Sequence, residues 1–332
     1  MSLPAPPRRP LVSVVLPSFN HEDFVEAAVR SVLEQSYEHL ELLVVDDGST
    51  DATPDVVAGI DDPRLTLVRL PTNRATHPRN LALERATGAL VAFQNSDDVW
   101  HRDKLAAQVE ALADRDVVAS FTRVKIIDGS GAPDPGTWAA GLFTHELDSP
   151  AAWLCRFFDD GNDLCVSSAV CRRAAVMRVG AFDPSLFHLS DLDLWVRLAG
   201  LGHLQVVPRE LTSMRIVGDR NVSAPSEATL RRSLREHAQV LERFTQPPVY
   251  RRLPEMFPGL LDDTMRRPLR LALLARHCWE RRDALHREFG DRLFTRLLQT
   301  PGYRERITKR LGTHIIAEFL QARGRLEMVT HG

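Results

Sequence analysis

The stretch Leu90-Val91-Ala92-Phe93-Gln94-Asn95-Ser96-Asp97-Asp98-Val99-Trp100 limits the possible folds more than any other part of the chain. Its apolar start lacks polar alternation, which suits a strand covered on both faces, as at the centre of a parallel sheet. Ligands of such sheets bind beyond the carboxyl ends of the strands. Two adjacent carboxylates at that place raise each other's pKa unless positive charge lies near them. A divalent cation resolves the conflict, and hard oxygen ligands suit Mg²⁺ or Mn²⁺, with substrate phosphates and water completing the shell. The competing reading makes Asp97 the N-cap of a helix starting near Arg102 and leaves Asp98 solvated.

Upstream, the chain alternates strand and helix. Residues 1–10 form a Pro- and Arg-rich lead that is expected to fray. Leu11 to Leu16 reads as a strand stopped by Pro17-Ser18-Phe19-Asn20. Phe24, Ala28, Val32 and Leu33 mark one face of a helix over about residues 23–35. Leu40 to Val45 is a second strand, closed by Asp46-Asp47-Gly48-Ser49-Thr50-Asp51; a helix near 53–58 and a strand at 65–70 follow. This β-α-β-α-β order predicts an α/β fold with a parallel sheet and crossover helices. Gly48 suits a tight turn after the second strand.

Pro17-Ser18-Phe19-Asn20, VVDDGSTD at residues 44–51, Arg79-Asn80 and SDDVW at residues 96–100, in this order and spacing, resemble the family 2 glycosyltransferases of the GT-A fold. The similarity covers roughly residues 11–220. It implies an inverting enzyme that moves a sugar from a nucleotide-diphosphate donor, most simply a UDP- or dTDP-sugar, with Mn²⁺ or Mg²⁺ on the diphosphate. By the resemblance Asp47 holds the base with Asp46 in support, and Phe19 stacks on the ring, a contact worth about 1–3 kcal/mol elsewhere. Pro17, Asn20, Asn95 and Ser96 complete the nucleotide pocket, and Arg79 at a helix start favours the diphosphate. Asp97 becomes the metal ligand. Family members commonly read D-x-D-D here, so Asn95 replaces an acid. The segment Val179-Gly180-Ala181-Phe182-Asp183 also resembles the family, as does Ser190-Asp191-Leu192-Asp193-Leu194-Trp195, where Ser190 stands for a Glu and Asp191 aligns with the catalytic base. A positioned carboxylate takes the acceptor's proton as the new bond forms. Asp191 read without the family is a helix N-cap, and Asp193 is structural. Arg215 and Arg220 are candidate diphosphate contacts.

Between these motifs, a helix is expected at 104–114, an alternating strand at 117–127, a turn-rich stretch at 128–136, and strands at 165–170 and 205–207. His77 is expected at the surface. The remainder, 225–332, forms a helical region with stripes at Leu230, Leu234, Leu241 and Phe244, at Leu269, Leu273 and Leu274, and at Phe294, Leu297 and Leu298. It carries 21 Lys+Arg against 13 Asp+Glu, whereas the whole chain has a net charge of −2. The catalytic domain is therefore placed at 11–224, and the helical region is assigned to acceptor binding or a homodimer.

The four cysteines show no C-x-x-C spacing, which favours a reducing, cytoplasmic setting. No apolar run reaches membrane-spanning length, so the protein is expected to be soluble or at most peripheral at a membrane. Nucleic acid is not among the expected partners. The acceptor stays open among a glycan, a lipid-linked sugar, a natural product and a peptide. Two other classes compete: a nucleotidyltransferase, which needs a Gly-rich basic loop after its first strand, and a catalytically silent nucleotide-sugar-binding scaffold.

Overall fold

A computed structural model of the 332-residue chain describes residues 7–72, 78–218, 221, 223–281 and 283–330. Its contacts divide the chain into two compact units, Met1–Ser233 and Leu234–Gly332.

The first unit follows the expected alternation: β1 (Val12–Ser18), α1 (Val25–Leu33), β2 (Leu40–Asp46), α2 (Thr53–Ala58), β3 (Leu65–Arg69), α3 (Pro78–Arg85) and β4 (Leu90–Phe93). β5 (Val99–Trp100), α4 (Lys104–Ala111), β6 (Val117–Ile127), α5 (Pro150–Asp159), β7 (Val170–Arg172), α6 (Arg173–Val179), α7 (Ser190–Ala199) and β8 (His203–Arg215) complete it. The sheet order is β3-β2-β1-β4-β7-β6-β8-β5. β1, β2 and β4 are buried along almost their whole length, and β1 lies between the other two in parallel register. Continuous apolar runs formed these strands because both faces are covered, by α1 on one side among others: Val25, Ala28, Val29 and Val32 join Val12, Val14, Leu42 and Leu90 in one cluster.

The sheet is mixed: four of its strand pairings are parallel, while β7 runs antiparallel to both β4 and β6, and β5 antiparallel to β8. The reversal has a local cause. The chain enters β7 at the carboxyl end of β4, where the Phe93 N–H donates to the Ala169 carbonyl at 3.2 Å, and so it runs back along that strand. The strand expected at 165–170 is accordingly a 3-10 turn, Val166–Ser168, followed by β7. The short strand expected at 205–207 extends over 13 residues as β8, because it pairs along the length of β6. β6 buries its first six residues on both faces instead of alternating.

α7 is seated on the sheet by Trp195, whose ring meets Phe121 of β6 edge-on at 4.9 Å and lies 6.4 Å from Phe93 of β4. Phe182 meets Phe93 at 5.1 Å, and Asn80 of α3 bonds both the N–H and the carbonyl of Phe182. Aromatic packing therefore sets the start of α7 beside the carboxyl end of β4.

α8 (Glu227–Glu242) opens the helical part of the chain, which continues with α9 (Leu253–Met256), α10 (Arg267–Trp279), α11 (Ala284–Gln299), α12 (Tyr303–Leu311) and α13 (His314–Thr330). In the second unit Trp279, Phe294 and Phe319 form an aromatic cluster with centroids 4.9–5.4 Å apart. The stripe read on α8 is only half a packing face: Leu241 and Phe244 are buried, whereas Leu230 and Leu234 are 60% and 49% exposed. Helical spacing marks a shared face but not what covers it. Among the described residues no helix is long and apolar enough to cross a membrane.

Gly88, just before β4, shows how tightly the central strands enter the sheet. A Cβ there would lie 2.6 Å from the Leu11 carbonyl oxygen, 2.7 Å from Ser13 Oγ and 2.8 Å from the Leu90 carbonyl oxygen. Its N–H donates to Ser13 Oγ at 2.8 Å, and that hydroxyl donates to Glu41 at 2.6 Å. Gly88→Ala is expected to cost about 1–3 kcal/mol by overpacking. The measurement is the melting temperature, and a value equal to wild type would mean that the strand entry shifts freely.

Candidate functional site

The carboxyl ends of β1, β2 and β4 carry the motif residues, as expected for a sheet of this type. After β2, Asp46 is buried and acts as a hub. Its Oδ1 accepts the Ser49 N–H at 3.0 Å, and its Oδ2 accepts the Ser49 hydroxyl at 2.6 Å and the Ser18 hydroxyl at 3.2 Å. Gly48 adopts φ 78°, so the tight turn read from the sequence is present and needs a residue without Cβ strain. Asp47 follows, half-buried, with its N–H on the Ser18 carbonyl. Asn20 lies across from this turn. Its Oδ1 accepts the Thr50 N–H at 2.9 Å, and its own N–H donates to Ser49 Oγ at 2.9 Å. Pro17 pairs with Val45 in the β1–β2 ladder. Phe19 is 41% exposed and therefore not a core aromatic.

After β4, the two acids separate in function. Asp98 is buried and accepts the Arg215 backbone N–H on Oδ1 at 2.9 Å, and the Asn95 amide on Oδ2 at 3.3 Å. The Ser167 hydroxyl also donates to Oδ2, while its oxygen accepts the Asn95 N–H. Burial, and then the Asp97 charge, push the Asp98 carboxyl up from its ordinary range. Asp97 is partly exposed, and burial raises its carboxyl as well, against the pull of Arg215 and Arg79. Neither acid caps a helix: α4 starts at Lys104 with Asp103 before it. Ser96 is buried, with its hydroxyl 2.7 Å from His21 Nδ1. Burial lowers the His21 pKa, against the charges of Asp98 and Asp51.

Arg79, near the start of α3, donates to Asn95 Oδ1 at 2.7 Å and lies over the Phe182 ring at 5.6 Å. It feels the charges of Asp191, Asp97 and Asp98, which makes it the cation common to all three. Asp191 sits in the first turn of α7, one residue inside it rather than at the N-cap, which is Leu189. Its Oδ1 takes the Leu192 N–H at 2.7 Å and its Oδ2 the Asn162 amide at 2.9 Å. Burial raises its pKa to about 6, opposed by the Leu192 N–H, Arg79 and Asn162. Asp193 is buried and paired with Arg197.

Arg215, read as a diphosphate contact, is committed elsewhere. Its Nε donates to the Asp97 carbonyl at 2.8 Å, its Nη1 donates to the Asp128 and Gly129 carbonyls, and the guanidinium lies 4.9 Å over Phe24. It clamps the acidic turn to the start of the 128–136 stretch. Arg220 lies outside the described residues, as do Asn73 to His77 ahead of α3.

The donor chemistry suits a cation completed by substrate. Among the described residues no three His, Cys, Asp or Glu side chains converge on one point. Asp98 is occupied by protein donors, which leaves the Asp97 carboxylate as the acid of this turn able to take a ligand. One carboxylate with phosphate and water oxygens is an ordinary Mg²⁺-type set.

Sequence reading overlooked Ser167, Asn162 and His21. Ser167 and Asn162 reach their carboxylates from 69 and 29 residues away, and no local pattern marks them. His21 directly follows the PSFN motif, and that adjacency was the one available signal.

Known proteins resemble this chain in sequence and in fold. TuaG of Bacillus subtilis (strain 168), named as a teichuronic acid biosynthesis glycosyltransferase, is 45% identical over 128 residues, covering 38% of this chain and 51% of that protein. WfgD of Escherichia coli, a UDP-Glc:alpha-D-GlcNAc-diphosphoundecaprenol beta-1,3-glucosyltransferase, is 37% identical over 124 residues, covering 36% of this chain and 48% of that protein. The chain thus spans about half the length of each of these two relatives. TarS 1-349 of S. aureus, solved with UDP-GlcNAc, superposes with a TM-score of 0.55 at 18% identity, over 96% of this chain and 91% of that one, a likeness of fold. The profile of Glycosyl transferase family 2 matches residues 13–182, more than half of the sequence, and the chain belongs to that family, with a GT-A fold.

Proposed function

We propose that this protein is an inverting glycosyltransferase that moves a sugar from a UDP- or dTDP-linked donor to an acceptor hydroxyl, with Asp191 as the base. The observation that carries the reading is that two partly exposed carboxylates raised by burial, Asp97 and Asp191, both interact with the charge of one guanidinium, Arg79. A donor diphosphate fits between a fixed cation and a metal-binding acid, and the base belongs on the acceptor's side of the sugar.

Asp47 accepts the N3–H of the base, and Asp46 keeps the turn beneath it in shape through Ser18 and Ser49. Phe19 offers its exposed ring for stacking. Pro17, Asn20, Asn95 and Ser96 shape the walls of this pocket. Asp97 would hold Mn²⁺ or Mg²⁺, which supplies charge neutralisation on the departing diphosphate. Arg79 adds a second positive charge there, and its own place is fixed by Asn95 and Phe182. Asp191 takes the proton of the attacking hydroxyl, and its raised pKa brings it nearer to that of the group it serves.

The substrates in the name of WfgD favour UDP among the donors and a lipid-linked saccharide among the acceptors. A protein without a spanning helix among its described residues would then work at the surface of the membrane. The helical region, 225–332, would meet the acceptor or a second copy of the chain.

Donor and metal are tested together by melting curves with UDP, dTDP, GDP and CDP, each with and without Mn²⁺, on wild type and Asp97→Ala. A metal-dependent rise with UDP or dTDP, lost in the variant, is the expected result. Equal curves with every nucleotide would rule out the pocket as drawn. The base sets a pH dependence. Asp191 works only as the carboxylate, so turnover should fall as pH drops through about 6, approaching tenfold per pH unit below it, and level off above. An acid limb that persists unchanged in Asp191→Asn would exclude Asp191 as its source.

A further inference from the structure

A residue outside every motif reaches the proposed base. Asn162 lies between α5 and the 3-10 turn at Val166–Ser168, and its Nδ2 donates to Asp191 Oδ2 at 2.9 Å. Its own carbonyl, Oδ1, accepts the Leu164 N–H at 3.1 Å. Those two bonds settle the orientation of the amide. Turning it over would set its NH₂ against a backbone donor and its oxygen against a carboxylate.

The neighbour, Asp163, anchors the same loop. It is buried, accepts the Phe143 N–H on Oδ1 at 3.3 Å, and pairs ionically through Oδ2 with Arg156, whose Nε lies at 3.3 Å, and with His145. Asn162 is therefore presented to Asp191 from a loop tied at the next residue to a second segment and to α5. On Asp191, one oxygen takes the Asn162 amide and the other the Leu192 N–H. Among the described residues, the other charged or titratable groups that interact with this carboxylate are the Arg79 guanidinium of α3 and the thiol of Cys165.

We propose that Asn162 is the positioning residue of this site, fixing the rotamer of Asp191 and favouring its ionised form, so that the unclaimed lone pairs meet the acceptor's proton. This rests on the reading of Asp191 as the base. A hydrogen bond to the charged form of an acid holds its pKa down. Asn162 thus offsets part of the burial that raises Asp191.

Two substitutions separate positioning from mere support of the loop. Asn162→Asp keeps an oxygen for the Leu164 N–H but replaces the donor facing Asp191 with an acceptor. Asn162→Ala removes both bonds and adds no charge. The full-length protein, labelled at the Asp side-chain carboxyl carbon, is titrated by NMR, with the Asp191 signal assigned by its absence in Asp191→Asn. Release of UDP from UDP-glucose by water, with Mn²⁺ present, is followed over the same pH range. In both variants Asp191 should titrate higher, by about one pH unit, and the acid limb of UDP release should move up with it. Asp191 titrating at the wild-type pH in either variant would overturn the proposal. Undiminished UDP release by Asp191→Asn would instead remove the base reading, while the titration still decides whether Asn162 holds the carboxylate.

Discussion

The site depends on the burial of the Asp98 carboxylate at the end of β4. A carboxylate withdrawn from water is costly unless donors replace its hydration, and removing one donor from such a group costs more than the bond is worth on average. Asp98 gathers its donors from three parts of the chain: the Asn95 amide next to it, the Ser167 hydroxyl before β7, and the Arg215 backbone at the end of β8. The same serine carbonyl receives the indole N–H of Trp100 at 2.7 Å. One ionisable group thereby fixes where two later strands stand relative to the first four.

A division of labour repeats through the acidic motifs. In Asp46-Asp47 the first carboxylate builds the turn; in Asp97-Asp98 the second holds the strands together; in Asp191 and Asp193 the later one is buried against Arg197. Each time, the partner keeps some exposure. A carboxylate that must face a substrate cannot also be saturated with protein donors, since every bond to the charged form lowers its pKa and fills a lone pair. Pairing a buried, bonded acid with a more exposed one lets a short motif hold the fold and still present a carboxylate.

What could be read from the sequence follows the range of the interaction responsible. β1, β2 and β4 were visible because burial on both faces leaves an unbroken apolar run, and α1 because its stripe meets that core. The turn at Gly48 was visible because its geometry is local. The reversed direction of β7 was not, since nothing within Cys165 to Val170 records that the Phe93 N–H bonds Ala169. Leu230 and Leu234 share the helical spacing but are exposed in the single chain, because spacing along a helix is local and cover is tertiary. Asn162 and Ser167 carry no motif at all, because a single amide or hydroxyl becomes significant only through the carboxylate it meets across the fold.

Asn95 is the clearest departure from the acid-rich family pattern, and its contacts give a physical account of it. Its Oδ1 accepts from Arg79 at 2.7 Å while its Nδ2 donates to Asp98 Oδ2 at 3.3 Å. Arg79 has only donors to offer, so the amide oxygen must face it and the amide nitrogen must face the acid. An aspartate at this position would serve the arginine equally well, but would set a third carboxylate oxygen against Asp98, whose carboxyl is already raised by burial and by Asp97. The amide joins the cation to the buried acid without adding charge. The loss of an acid at position 95 is therefore matched to the way this chain buries Asp98, and Asp97 is left as the carboxylate of the turn that is open to a ligand.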